Sequence, residues 1–131
     1  MPNPRPPLVA IFNNDPDLIN MLATWFETHG IRAVTGNLRD FRRGHEDVAA
    51  FIERHGPTVL LFDVCVPYAS NWDYLAALRL IPETGKLPFI ITTANKSALE
   101  KAVGPTDAIE ITGTAADFDA VTAAITAVQG I

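Results

Sequence analysis

A chain of 131 residues is long enough to bury one core and too short for two. Hydrophobic residues make up 48% of it and charged residues 19%, the balance of an ordinary globular domain. The net charge of −5 without a basic stripe excludes a nucleic-acid surface, and no apolar run approaches the ~18 residues of a membrane span.

The N-terminal MPNPRPP lacks the apolar core of a secretion signal. It reads as an extended tail over residues 1–7, because each proline fixes its own φ and restricts its predecessor. The expectation is a cytoplasmic protein with one domain over 8–131. Leu8 to Phe12 (LVAIF) reads as a central strand. Asn13-Asn14-Asp15-Pro16 follows and starts a helix at Asp15 or Pro16, since aspartate suits the N-cap and proline the first helical position. Leu18, Met21, Leu22, Trp25 and Phe26 fall on one helical face, and Gly30 after His29 ends the helix.

Ile31 to Val34 reads as a second strand. Thr35 to Gly44 is polar and charged, hence a loop, with Arg39, Arg42 and Arg43 on a solvated face. A second helix is expected over His45 to His55, packing through Val48, Ala49, Phe51 and Ile52. Gly56-Pro57 leads into Thr58 to Phe62, a run apolar on both faces and too short for a helix, which suits a strand buried in a parallel sheet. Asp63 follows at once. Tyr68 to Asn71 reads as a loop, Trp72 to Leu80 as a helix and Pro82 to Pro88 as a connection. Phe89 to Thr93 is a fourth strand ending in two hydroxyls. Ser97 to Val103 is a short helix, Asp107 to Ile111 a fifth strand, and Ala115 to Val128 a final helix with Phe118, Val121, Ile125 and Val128 on one side.

Strict alternation of strand and helix predicts an α/β domain with a doubly wound, five-stranded parallel sheet in the flavodoxin-like order 2-1-3-4-5. In that order the ends of strands one and three are neighbours. Asn13, Asn14 and Asp15 then face Asp63, with Thr92 or Thr93 beside it. A carboxylate in this place either caps a turn and meets solvent, or serves as a nucleophile or metal ligand. The single cysteine, Cys65, excludes an internal disulfide and a cysteine-rich zinc site and reads as a packed small side chain. His29, His45 and His55 lie near helix ends, away from the crevice. No Walker loop, Ser-His-acid set or flavodoxin-type phosphate loop stands in the sequence, so an enzyme is not expected.

Three motifs, IFNNDPDL after the first strand, LLFDVCVP after the third and LPFIITTA after the fourth, resemble the receiver domain of two-component response regulators. The resemblance runs from about Leu8 to Val128. It implies that Asp63 takes a phosphoryl group from a histidine kinase or phosphotransfer protein and that Thr93 hydrogen-bonds it. It implies that the Cys65 backbone carbonyl helps hold a magnesium ion and that Pro67 shapes the loop after the acceptor. It also implies a downstream protein partner and a dimer face on the last helices and strand.

The chain departs from that family's pattern at three places. The acidic pair that binds magnesium falls on the amides Asn13 and Asn14, which lowers the local charge from about −3 to about −1. The metal set is then Asp63, Asn14 and the Cys65 carbonyl, with Asn13 or Asp15, and Asp15 also reads as a helix N-cap. The lysine expected after the fifth strand is missing, since Lys96 and Lys101 belong to the preceding segment. No aromatic residue stands between Asp107 and Gly113. Two functions follow: a receiver with a degenerate metal and phosphate pocket, or a phosphorylation-independent adapter of the same fold.

Overall fold

The computed structural model describes residues 6–112 and 114–129. Most of the expected tail, Met1 to Arg5, lies outside them, as do Gly113, Gly130 and Ile131. The elements are β1 (Leu8–Asn13), α1 (Pro16–Thr28), β2 (Arg32–Asn37), α2 (Leu38–Arg42), α3 (Val48–His55), β3 (Val59–Asp63), α4 (Tyr68–Arg79), α5 (Pro82–Gly85), β4 (Phe89–Thr93), α6 (Lys96–Val103), β5 (Ile109–Glu110) and α7 (Ala115–Gln129). All pairs are parallel, in the order β2-β1-β3-β4-β5. That is the predicted doubly wound sheet.

The two central strands explain the layering. Every residue of β1 and β3 is buried. Successive side chains point to opposite faces. Ala10, Phe12, Leu60 and Phe62 therefore pack on one side with Leu38 and Phe41 of α2, Phe51 and Ile52 of α3, and Leu75 and Leu78 of α4. Val9, Ile11, Val59 and Leu61 pack on the other with Ile19, Leu22 and Phe26 of α1 and Phe118, Val121 and Ile125 of α7. Burying each such side chain contributes ~1.5–3 kcal/mol. Phe12, Phe41 and Phe51 form an aromatic cluster with centroids 4.7 and 5.5 Å apart. Gly36 sits against it, where a Cβ would lie 2.6 Å from Phe41 Cε2.

Several expected boundaries move. Thr35 to Gly44 is not a loop: β2 runs on to Asn37, whose side chain accepts from Arg39 N and caps α2. Leu38 and Phe41 bury there, so two apolar residues in a charged segment are enough to seat a turn and a half of helix. The second long helix starts at Val48, not His45, because Asp47 caps it. Tyr68 to Asn71 is the first turn of α4 rather than a loop. β5 is shorter than expected: Thr106 Oγ1 accepts from Ala108 N, so that backbone donor goes to a side chain just before the strand. On α1, Ile19 faces the core and Met21 is 46% exposed; Val128 at the end of α7 is 44% exposed. No helix of the described residues is long and apolar enough to cross a membrane.

Candidate functional site

The parallel register sets the carboxyl ends of β1, β3 and β4 side by side. Phe12 is level with Phe62, and Asp63 with Thr92. Asn13, Asp63, Thr92 and Thr93 lie at the ends of their strands and are themselves buried. Asp63 is 8% exposed. Thr92 Oγ1 donates to Asp63 Oδ1 at 2.9 Å. Asp63 Oδ2 has no hydrogen-bond partner among the described residues, yet it is not sealed from solvent. Burial pushes the Asp63 carboxyl up to about 6; the Thr92 hydrogen bond opposes this and the nearby negative charge of Asp15 adds to it.

The Thr93 hydroxyl does not hydrogen-bond Asp63. Its Oγ1 donates to the Val64 carbonyl at 2.8 Å. Asp15 caps α1 by accepting from Asp17 N and Leu18 N. Asn13 Oδ1 accepts from Asp15 N at 2.9 Å. Asn14 Nδ2 donates to Cys65 Sγ at 3.2 Å, and Asn14 Oδ1 is buried without a partner among the described residues. The Cys65 carbonyl accepts from Asn71 Nδ2 at 2.8 Å.

These residues do not fit a magnesium ion. Magnesium needs several oxygen ligands near ideal octahedral geometry. Here one oxygen of the Asp63 carboxylate is tied to Thr92, the Asp15 carboxylate caps α1, the Asn13 oxygen and the Cys65 carbonyl each already accept a hydrogen bond, and the Asn14 amino group points at sulfur. The Asn14 oxygen is a lone acceptor, and the described residues hold no cluster of three acidic, histidine or cysteine side chains.

Residues from other elements complete the surroundings. Glu110 on β5 accepts from Lys96 N in the first turn of α6, whose N-cap is Asn95. Arg42 on α2 donates to Asn71 Oδ1 and, at 2.9 Å, to Ser70 Oγ. Sequence reasoning missed both Arg42 and Asn71, since each lay in a segment read as loop. The three histidines make local contacts near helix ends: His29 with the Trp25 carbonyl, His45 with Asp40 and His55 with the Phe51 ring. A cavity of about 660 Å³ opens at the other end of the strands, against Leu8, Ile31 and Arg32, and shares no residue with the Asp63 surroundings.

No protein-family model matches the sequence, and no curated protein matches it. Solved structures do. The chemotaxis response regulator CheY4 of Vibrio cholerae is 17% identical with a TM-score of 0.65, covering 92% of this chain and 99% of that one. A sensor protein from Polaromonas is 18% identical with a TM-score of 0.69, covering 95% and 96%. A CheY-like response regulator receiver domain from Methylobacillus flagellatus is 16% identical with a TM-score of 0.65, covering 92% and 99%. The chain has the fold of the response regulator receiver domains.

Proposed function

We propose that this protein is a receiver in phosphorelay signalling, with Asp63 as the phosphoryl acceptor and a histidine kinase or phosphotransfer protein as the donor. One observation carries the reading: a single carboxylate ends the central strand β3, with Oδ1 held by Thr92 and Oδ2 left without a protein partner among the described residues. Oδ2 attacks phosphorus in line, and the bond from phosphorus to the donor's nitrogen or oxygen breaks. The nucleophile is the ionised form, so the site works above about pH 6.

Phosphoryl transfer depends on positioning and on charge placed around the transferred group. Amides at Asn13 and Asn14 and the missing lysine remove two such contributions, each worth several kcal/mol in general. The pocket is therefore a slow acceptor. Output passes to a separate protein partner, with self-association through the last helices as the alternative route.

A second reading, a phosphorylation-independent adapter, rests on Thr93. Its hydroxyl is engaged by the Val64 carbonyl rather than turned to Asp63. Treatment with phosphoramidate followed by peptide mapping separates the two. The receiver reading expects a hydroxylamine-labile phosphoryl group on the peptide that holds Asp63. Label on another residue contradicts it, and no label favours the adapter.

A further inference from the structure

The loop after Asp63 is held by a relay of side chains that starts on α2. Arg42 Nη1 donates to Asn71 Oδ1, and Arg42 Nη2 donates to Ser70 Oγ at 2.9 Å. Asn71 Nδ2 donates onward to the Cys65 carbonyl at 2.8 Å. Asn71 is only 4% exposed, and the Arg42 guanidinium lies 5.3 Å from the Tyr74 ring centroid. We infer that the Arg42–Asn71 pair is an internal clamp that takes the place of a divalent cation at the Cys65 carbonyl, closing the Asp63 pocket to metal and tying its loop to α2.

The orientation of the Asn71 amide carries the argument. A guanidinium has five donors and no acceptor, so the group facing Arg42 must be the Asn71 oxygen. The Asn71 amino group is thereby forced toward Cys65. A hydrogen bond from a charged donor also polarises the amide, which strengthens its other donation. From the opposite side, Asn14 Nδ2 donates to Cys65 Sγ at 3.2 Å. Two amino groups, each with its partial positive charge outward, converge on the residue whose carbonyl a cation would need. A hard cation requires oxygen lone pairs there. The same two bonds of Arg42 fix the first turn of α4, where Ser70 and Asn71 lie, to the end of α2. The inference does not depend on phosphorylation of Asp63.

The test is magnesium titration of the full chain by calorimetry. Wild type and Asn71→Ala are expected to show no binding at millimolar magnesium. Asn13→Asp with Asn14→Asp restores the carboxylates and is expected to bind weakly, because the carbonyl is still taken. Adding Asn71→Ala to that pair is expected to tighten binding at least ~10-fold, the scale on which outer groups tune metal affinity. Equal affinity with and without Asn71, including binding in neither, overturns the clamp, as does tight binding by wild type. Where circular dichroism shows that an Asn71→Ala chain does not fold, Arg42→Ala replaces it in the same carboxylate background. Tightening there supports the clamp, and unchanged affinity overturns it. No phosphoryl donor is present, so a failure here is separate from a failure of Asp63 to accept phosphate.

Discussion

Thr92 and Thr93 are adjacent on β4, yet their hydroxyls serve different ends: Thr92 Oγ1 donates to the Asp63 carboxylate and Thr93 Oγ1 to the Val64 carbonyl. Register explains the split. Thr92 is level with Asp63, and the next side chain must face away. The site is thus a carboxylate with one ordered donor on one oxygen and its second oxygen open to solvent.

Asp63 makes stability fall with rising pH. Its carboxyl titrates near 6 in the folded chain and near 3.8 when unfolded. Between these values the folded state binds more protons, so the contribution of Asp63 to stability is highest below about pH 4, declines to about pH 6 and is level above. Keeping the buried carboxylate ionised costs ~3 kcal/mol at neutral pH. Asp63→Asn keeps an acceptor for Thr92 and removes the charge. It is predicted to stabilise the chain by ~2–3 kcal/mol at pH 8 and to flatten the decline. Urea unfolding from pH 4 to 8 checks this; a variant less stable than wild type at pH 8 contradicts it.

The two threonines are predicted to separate cleanly. Thr92→Val removes the one hydrogen bond that favours the ionised Asp63, so its carboxyl moves further up. Thr93→Val removes a bond to backbone, costs about 1 kcal/mol and leaves the Asp63 titration in place. Carbon-13 shifts of the Asp63 carboxyl read both. Equal displacement by the two variants would show that the Thr92 contact is not what sets this group.

Gly36→Ala is predicted to destabilise by about 1–3 kcal/mol, the usual cost of overpacking. The added carbon meets Phe41 at 2.6 Å and Phe12 at 3.0 Å, and both rings are buried. Chemical unfolding of the variant measures the loss. An unchanged midpoint would mean that Phe41 moves aside, and then α2 is not seated as described.

Asp117 gathers the start of α7. Its carboxylate accepts from Thr112 N at 2.7 Å, Thr112 Oγ1 at 3.0 Å and Thr114 N at 3.1 Å. The backbone donors at Thr112 and Thr114 hold its carboxyl down to about 2. A depressed carboxyl stabilises above its unfolded value of 3.8, and that contribution is lost as pH falls through about 2. Protection of the α7 amides, relative to their intrinsic exchange rates, is predicted to fall between pH 4 and 2 in wild type. In Asp117→Asn protection should be lower at pH 4 and should not change between pH 4 and 2, and a wild-type-like profile in that variant would count against the cap.

The sheet was legible because its strands carry their own signal. LVAIF, TVLLF and FIITT are apolar on both faces, and alternation with helices leaves few parallel arrangements. The position of Asp63 followed from the end of the third run. The segment around Arg42 was not legible, because its charges mask Leu38 and Phe41, and only the tertiary core shows that these two are buried. Asn71 was hidden for a related reason: an asparagine at the start of a helix reads as a turn, and its partner Arg42 comes from α2, 29 residues away in the chain. Asp15 as N-cap was readable, since aspartate before proline at a helix start is a local signal.

The central claim is that Asp63 is the group that accepts phosphate. Intact-mass analysis of wild type and Asp63→Ala, each incubated with phosphoramidate at pH 8 with magnesium or with a chelator, tests it most directly. The account predicts one phosphoryl adduct on wild type under both conditions and none on Asp63→Ala. An adduct that survives the substitution, or that forms on neither protein, would contradict it.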